Sequence, residues 1–233
     1  MLFTVSAFRR SLLLLVTFVF VLAGSLSVSV SPAQAYTGQP VFFFTPHQDD
    51  EALFMGASVR QHVLAGRQVY VILLTDGGAS GNCISTYGSR ADCVAARDQE
   101  FQNGVTSMGA IPIIRADRVL DGSDPAAMAT YAKFVINQYY ANVNYKLASY
   151  KTMSETDSHP DHAALGRGLR QSSVTDKRWC MKSADLVNHP SYTTAGKYNM
   201  NATLDMYPFG KASVPSYFAE ATYPNGIVSR CYA

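Results

Sequence analysis

Residues 41–51 read Val41-Phe42-Phe43-Phe44-Thr45-Pro46-His47-Gln48-Asp49-Asp50-Glu51, an apolar run followed at once by a proline and a polar cluster. The β-branched and aromatic residues of 41–45 predict a buried strand, because these residue types pack well on a pleated, covered surface. Apolar residues at helical spacing over Glu51–Ala65 predict a helix directly after the cluster, with Gly66 as its stop signal. The polar cluster therefore lies at a turn from strand to helix.

The same alternation of strand and helix continues along the chain. Further strands are predicted at Val69–Leu74, Ile111–Arg115 and Lys146–Lys151, and further helices at Asp92–Met108 and Pro125–Tyr140. Thr75–Ser89 is predicted to be a loop, and the part after His189 to contain loops with a few antiparallel strands. This alternation indicates one Rossmann-like α/β domain, a mostly parallel sheet with helices on both faces. In such sheets ligands bind beyond the carboxyl ends of the strands.

The first 35 residues have the organisation of a secretory signal peptide. Two arginines precede an uncharged apolar run over residues 11–24, and Ala33-Gln34-Ala35 offers a cleavage site. The apolar run is shorter than the roughly 20 residues that span a bilayer, although an uncleaved membrane anchor is the alternative. We therefore expect a signal peptide over 1–35, a secreted domain over 36–233, and no stable membrane span after cleavage.

Charge balance and cysteine content bear on nucleic-acid binding and on disulfide formation. The first 35 residues carry two of the 19 Lys and Arg and no acid, which leaves 17 bases against 17 acids in the mature chain. This balance gives no indication of nucleic-acid binding. Four cysteines in an exported chain imply disulfides, and we expect Cys83 to pair with Cys93 and Cys180 with Cys231. A four-cysteine zinc site is the alternative, but no C-x-x-C spacing is present.

Three of the five histidines fall into two compact clusters, Pro46–Glu51 and Ser158-His159-Pro160-Asp161-His162. A divalent metal of borderline softness prefers imidazole nitrogen and carboxylate oxygen, and two His with one Asp leave an open position for water. His47 and Asp50 lie three residues apart at the turn, so both side chains can reach one point above the sheet edge. His162 would complete the set. The clusters therefore predict a zinc site held by His47, Asp50 and His162.

The remaining cluster residues fit the hydrolysis of an amide. Metal-bound water has a pKa of about 7, and a nearby carboxylate takes its remaining proton during attack on a carbonyl carbon. Asp49 is the expected base. A second histidine that does not bind metal stabilises the oxyanion and protonates the leaving amine, which is the role expected of His159. Asp161 is expected to hold one imidazole in its tautomer, with the partner left open.

The two clusters resemble the H-P-D-D-E and H-P-D-H motifs of the PIG-L/LmbE-like family of zinc-dependent N-acetylglucosaminyl deacetylases. The resemblance includes Leu74-Thr75-Asp76-Gly77, similar to the family's T-D-G, and Arg97 with Glu100, similar to its R-x-x-E helix. It implies a hydrolase that removes acetyl groups from N-acetylated amino sugars. The family's zinc ligands, general base and electrostatic catalyst correspond, in that order, to His47, Asp50 and His162, to Asp49, and to His159.

The resemblance also implies substrate contacts, for which Arg97 and Asp76 are the candidates. The chain departs from the family at Gln48, where the family usually has proline, so the loop loses a backbone angle that a proline ring would fix. This departure concerns the substrate pocket more than the metal ligands. The expected partner is an amino-sugar-containing small molecule or glycan. Free N-acetylglucosamine, a polysaccharide, a glycolipid and an antibiotic glycoside all present the same amide, and nothing in the sequence indicates an oligomeric state.

Two other functions fit the same residues. His47, Asp49 and a distant histidine match the two-His, one-carboxylate iron site of an oxygenase, although here the motif links a strand to a helix. A metal-bearing, non-catalytic sugar-binding module would keep the three predicted ligands without needing Asp49 or His159. The other two histidines, His62 and His189, are expected to be structural.

Overall fold

The fold is built on one sheet. A computed structural model of the chain describes residues 36–181, 200–222 and 230–232. Its strands are β1 (Val41–Thr45), β2 (Val69–Thr75), β3 (Ile111–Val119), β4 (Ser149–Met153), β5 (Lys177–Met181) and β6 (Arg230–Tyr232), in the order β3-β2-β1-β4-β5-β6. The first five are parallel, and β6 pairs with β5 in the antiparallel direction. The predicted mostly parallel sheet is confirmed.

Helices connect the strands and cover the sheet. They are α1 (Asp50–Phe54), α2 (Gly56–Leu64), α3 (Gly81–Tyr87), α4 (Arg90–Ser107), α5 (Pro125–Ala141), α6 (Pro160–Gln171), α7 (Asn201–Leu204), α8 (Pro208–Ser213) and α9 (Pro215–Ala221), with a 3-10 turn at Val143–Tyr145. Phe43 of β1 packs into a core with α1, α2, α4, α7 and α9. Phe42 and Phe44 face the opposite core, formed with α5 and α6. The alternating strand therefore has helices on both faces, as predicted for one Rossmann-like domain.

The helix predicted over Glu51–Ala65 is two helices. The backbone of Met55 leaves the helical region, with φ −123° and ψ −9°, and separates α1 from α2. Met55 is fully buried, and a Cβ added at Gly56 would lie 2.9 Å from Cε of Met200. Tertiary packing therefore decides the break, at a glycine that is itself a weak helix former.

The loop predicted over Thr75–Ser89 contains a helix, α3. Its residues are mostly weak helix formers, so local propensity favours a loop. Cys83 of α3 is disulfide-bonded to Cys93 of α4 and packs against Phe209 of α8. The helix is therefore stabilised by contacts that its own sequence does not reveal.

Two further predictions of secondary structure were wrong in part. β4 begins at Ser149 rather than Lys146, because the backbone N–H of Ala148 donates to Tyr145 (3.1 Å) and closes a turn there. After His189, the described residues form three short helices and one antiparallel strand, not mainly loops. Pro208 and Pro215 occupy the first turns of α8 and α9, where proline is tolerated because that N–H has no helical partner.

Both predicted disulfides are confirmed. Cys83–Cys93 joins α3 to α4, and Cys180–Cys231 joins β5 to β6. Among the described residues, no helix combines the length and the apolar character that a membrane span requires. The predicted signal peptide and His189 lie outside the described residues, so both remain predictions from sequence.

The strand order creates a switch point between β1 and β4. From β1 the chain adds β2 and β3 on one side, then returns to place β4 on the other side. The segments that leave the carboxyl ends of β1 and β4 therefore diverge and open a crevice between them. The first histidine cluster follows β1 directly, and the second follows β4 at the start of α6.

Candidate active site

The crevice brings the three clustered histidines together. The ring centroid of His47 lies 5.1 Å from that of His159 and 5.8 Å from that of His162, and the latter two centroids are 4.6 Å apart. His47 is more than 110 positions away from the other two in the sequence. The parallel pairing of β1 with β4 is what brings them to one edge of the sheet.

Asp50 lies between two of the histidines. Its Oδ2 atom is 2.9 Å from Nδ1 of His47 and 3.1 Å from Nε2 of His162. Asp50 thus contacts both of the other predicted metal ligands, and all three residues are buried. Within the described part of the chain, two groups have ligand atoms that all lie within 4.8 Å of one another: His47 with His159 and His162, and His47 with Asp121 and Asp161. These compact groups of ligand atoms around His47, however, do not include Asp50.

Further carboxylates surround this centre. Nε2 of His47 lies 3.1 Å from Oδ2 of Asp161 and 3.1 Å from Oδ1 of Asp121. Nδ1 of His162 lies 3.2 Å from Oδ2 of Asp157. The imidazole partner of Asp161, left open by the sequence, is therefore His47. Asp121 and Asp157 were missed, although both follow β3 or β4 at the carboxyl edge, which was the available signal.

The carboxylates stabilise positive charge at the centre. Burial by itself lowers the pKa of His47, but hydrogen bonds with Asp121, Asp161 and Asp50 raise it well above its ordinary value. Burial likewise opposes ionisation of Asp50, yet His162 and His47 hold the pKa of its carboxyl well below its usual range. The site is thus a buried anionic pocket, of the kind that accommodates a cation.

Asp49 has an unusual backbone. Among the described residues it is the one non-glycine residue with positive φ, at φ 124° and ψ −31°. A conformation of this kind costs about 1–3 kcal/mol and persists where the surroundings hold it. Burial raises the pKa of the Asp49 carboxyl to about 7, partly offset by Arg97, whose Nη2 lies 3.6 Å from Oδ2. A carboxylate with a pKa near neutrality suits proton transfer at neutral pH.

His159 is more exposed than the other two histidines and lines the cleft. Its Nδ1 atom accepts a hydrogen bond from the backbone N–H of Asp161 (3.3 Å) at the start of α6. Burial, His162 and His47 together lower the pKa of its imidazole. His159 therefore presents its Nε2 side to the cleft, because Nδ1 is engaged by the helix terminus.

Gln48, at the position where proline was expected, links the first cluster to its surroundings. Its Nε2 atom donates to the carbonyl of Asp76 (3.0 Å) and to Oδ1 of Asp98 (2.9 Å). Gly77 permits this approach, because an added Cβ there would lie 1.8 Å from Oε1 of Gln48, and its φ of 63° also favours glycine. The hydrogen bonds of the Gln48 side chain therefore restrain this loop, as the fixed backbone angle of a proline would.

The two predicted substrate contacts differ in placement. Arg97 lines the cleft, and its guanidinium donates to the carbonyls of Gly77 (2.6 Å) and Gln48 (2.9 Å). Asp76 does not line the cleft, since Arg90 pairs with its carboxylate and the N–H groups of Gly78 and Asp121 donate to it. That Asp76 contacts the substrate therefore stays a prediction. Its carboxylate braces the loops beyond β2 and β3.

The site opens into a cleft of about 970 Å³. Loops beyond β2, β3 and β4 form a polar wall, which includes Ser80, Asn82, Asp121, Ser123 and Ser158. Helices α1, α8 and α9 form an apolar wall, consisting of Leu53, Phe54, Phe209, Val214 and Tyr217. The Phe54 ring packs edge-on against His162, with centroids 5.2 Å apart. Phe54 of the apolar wall is therefore in direct contact with His162, one of the predicted metal ligands.

Solved structures with this fold include deacetylases and one hydratase. An antimicrobial pseudoaglycone deacetylase is 16% identical, with a TM-score of 0.59 over 82% of this chain and 94% of that chain. A teicoplanin deacetylase, crystallised in a zinc-inhibited form, is 14% identical, with a TM-score of 0.55 over 84% of this chain and 98% of that chain. The 4-carboxy-2-hydroxymuconate hydratase of Pseudomonas putida is 12% identical, with a TM-score of 0.51 over 84% and 95%. At these identities the likeness concerns the fold alone.

Comparison of the sequence with known proteins and families is more specific than the likeness in fold. A search of curated proteins found no match. The model of the PIG-L family, described as GlcNAc-PI de-N-acetylase, matches residues 42–173, more than half of the chain and both histidine clusters. The chain therefore belongs to the PIG-L family of LmbE-type deacetylases.

Proposed function

We propose that the protein is a zinc-dependent hydrolase that removes the acetyl group from an N-acetylglucosamine-type amino sugar or its conjugate. One observation carries the proposal: the buried carboxylate of Asp50 contacts both His47 and His162, and Asp49 and His159 line the same cleft. Membership of the PIG-L family supports the same reaction.

The donor set fits zinc. In a tetrahedral site with bonds of about 2.0–2.2 Å, ligand atoms lie about 3.4 Å apart. The Asp50 oxygen lies 2.9 and 3.1 Å from the two histidine nitrogens, which is shorter than that spacing, so these side chains would have to separate to hold the ion. His47, Asp50 and His162 would hold it, with Asp161 and Asp157 fixing the imidazoles from outside. Zinc bound there would lower the pKa of water to about 7 and polarise the substrate carbonyl.

The protein's own groups then move the protons. Asp49 takes the proton of the attacking water at its carboxylate, and its buried position near Arg97 keeps that carboxylate directed into the cleft. His159, which borders the cleft, stabilises the developing oxyanion by donating a hydrogen bond, and Asp49 passes the proton taken from the water to the leaving amine. Arg97 remains a proposed substrate contact, because it lines the cleft next to Asp49.

The cleft favours a conjugate over a free monosaccharide. Clefts of about 300–1,000 Å³ enclose drug-sized ligands, and this one is at the upper end of that range. The polar wall offers hydroxyl and carboxylate groups to a sugar, whereas the apolar wall suits a hydrophobic portion of the same substrate. With the predicted signal peptide and the two disulfides, we propose that this substrate lies outside the cell.

The test is acetate release by the purified mature protein from N-acetylglucosamine, chitooligosaccharides and N-acetylglucosaminides with alkyl or aryl aglycones. The protein is assayed as purified, after chelation, and after addition of zinc at one equivalent and in excess, because a structural neighbour was crystallised in a zinc-inhibited form. Chelator-sensitive release restored by one equivalent is expected, with the conjugates preferred. A zinc-loaded protein that binds these sugars without releasing acetate would instead be a sugar-binding module.

A further inference from the structure

The active-site cleft includes a part of the chain beyond the family match. That match ends at residue 173, yet Phe209, Val214 and Tyr217 line the cleft. These residues belong to the C-terminal helical segment, which we define as residues 200–222. Part of the site is therefore built by residues outside the recognisable motifs.

The backbone of Asp49 depends on a neighbouring carboxylate. The N–H of Asp49 donates to Oε2 of Glu51 (3.2 Å), and its carbonyl accepts from the N–H groups of Ala52 (3.0 Å) and Leu53 (2.9 Å). With φ at 124°, this backbone is outside the conformations that a non-glycine residue adopts readily. The Glu51 carboxylate therefore helps to hold Asp49 in its conformation.

The other oxygen of that carboxylate is bound by the C-terminal helical segment. The Tyr207 hydroxyl donates to Oε1 of Glu51, and both residues are fully buried. Tyr207 fits into a notch above Gly104, where an added Cβ would lie 1.9 Å from the hydroxyl oxygen. The ring is thus confined, and its hydroxyl has a fixed direction.

The C-terminal helical segment makes two further contacts near Asp49. The backbone N–H of Phe209 donates to Oε1 of Glu100 (2.6 Å). A Cβ added at Gly210 would lie 3.3 Å from Oδ2 of Asp49, so the backbone there lies directly against the carboxylate. Docking of the segment is therefore coupled to the position of Asp49.

We propose that Tyr207 is a positioning residue, which acts through Glu51 to hold the backbone of Asp49 and so the direction of its carboxylate. The inference rests on the proposed function, in which Asp49 is the base. Misplacement of a reacting group by about 1 Å costs about 10² in rate. Neither Tyr207 nor Glu51 lines the cleft, so substrate binding should be unaffected.

The experiment compares Tyr207→Phe with Tyr150→Phe. Tyr150 is also fully buried and donates one hydrogen bond, to the carbonyl of Tyr145 (3.1 Å), but it lies on the opposite face of the sheet. Both variants should lose a similar few degrees in Tm and keep their zinc. Only Tyr207→Phe should lose about 10- to 100-fold in kcat, with KM within about twofold of the wild type. An equal kcat for the two variants would overturn the inference.

Glu51→Gln provides the second measurement, and it also serves if Tyr207→Phe does not fold. It should show the same loss in kcat with KM unchanged, and adding Tyr207→Phe to it should have no further effect on kcat. Losses that multiply would mean that Tyr207 does not act through Glu51. An inactive wild-type protein would overturn the proposed function itself, whereas an active wild type with an unaffected Tyr207→Phe variant would overturn this inference alone.

Discussion

The carboxyl edge of the sheet and the face covered by α5 and α6 are both buried, but their side chains are of opposite kinds. At the edge, Asp49, Asp50 and His162 are buried together with further acids. On the covered face, Phe42 and Tyr150 stack within an apolar core, with ring centroids 5.2 Å apart. Buried charge costs free energy unless it is paired. The comparison teaches that most of this cost lies at the proposed active site, so we expect activity and stability to depend on different residues.

The largest effect is expected at the metal ligands. His162→Ala removes an imidazole from the centre, so zinc content should fall to near zero and acetate release below detection. The measurement is elemental analysis together with the release assay. His62→Ala is the matched control, since this histidine lies in α2 away from the cleft and should leave both unchanged. Full zinc content in His162→Ala would refute the ligand assignment and favour the cluster of His47, Asp121 and Asp161.

The next largest effect is expected at the base. Asp49→Asn keeps the shape of the side chain but cannot take a proton, so kcat should fall by about 10² to 10⁴. Zinc content should stay at the wild-type value, because Asp49 is not a proposed ligand. If Asp49→Asn lost zinc while Asp50→Asn kept it, the roles of the two aspartates would have to be exchanged.

On the covered face, the effect should appear in stability alone. Phe42→Ala leaves a cavity among Tyr70, Tyr139 and Tyr150, whose rings lie within 5.2 Å of it, and should lower the free energy of unfolding by about 3–5 kcal/mol. Activity per folded molecule should be unchanged. Phe134→Ala, at an exposed position of α5, is the control and should change stability by less than about 0.5 kcal/mol. A loss of kcat in Phe42→Ala would break the division between the two regions.

The smallest effect concerns Lys151, a buried charge outside the site. Burial lowers the pKa of its ammonium to about 8, with Asp176 opposing and Arg178 and Arg67 adding to that shift. The unfolded chain therefore binds more protons than the folded chain between pH 8 and the ordinary lysine pKa, so this group makes stability rise with pH there. At neutral pH the buried charge should cost about 1–3 kcal/mol.

Lys151→Met should recover that free energy at pH 7 and remove the rise between pH 8 and about 10. The measurement is the difference in unfolding free energy between wild type and variant across that range. Lys133→Met, at an exposed position of α5, is the matched control for the loss of one lysine. A stability difference for Lys151→Met that is constant with pH would mean that the charge is already well accommodated.

The sequence alone determined those features that depend on local patterns of residues. The strand of Val41–Thr45 was predicted with its correct bounds. A run of β-branched and aromatic residues that ends at a proline favours a buried strand. Both disulfide pairs were predicted, and so were the histidine clusters, because few residue types bind metals or form covalent links. The alternation of strands and helices was sufficient for the fold class.

Only the tertiary structure decided what depends on contacts between distant segments. Asp121 and Asp157 reach the site through the parallel pairing of the strands, and their places after β3 and β4 were the available signal. Tyr207 reaches Glu51 through helix docking, and no local pattern distinguishes it from other tyrosines. The helix α3 forms because a disulfide and the packing of Cys83 outweigh weak propensity. The pairing of Asp76 with Arg90 is likewise a contact that no local pattern indicates. The sequence specifies which chemical groups are present. The free energy of tertiary packing decides where their side chains point and which groups they contact.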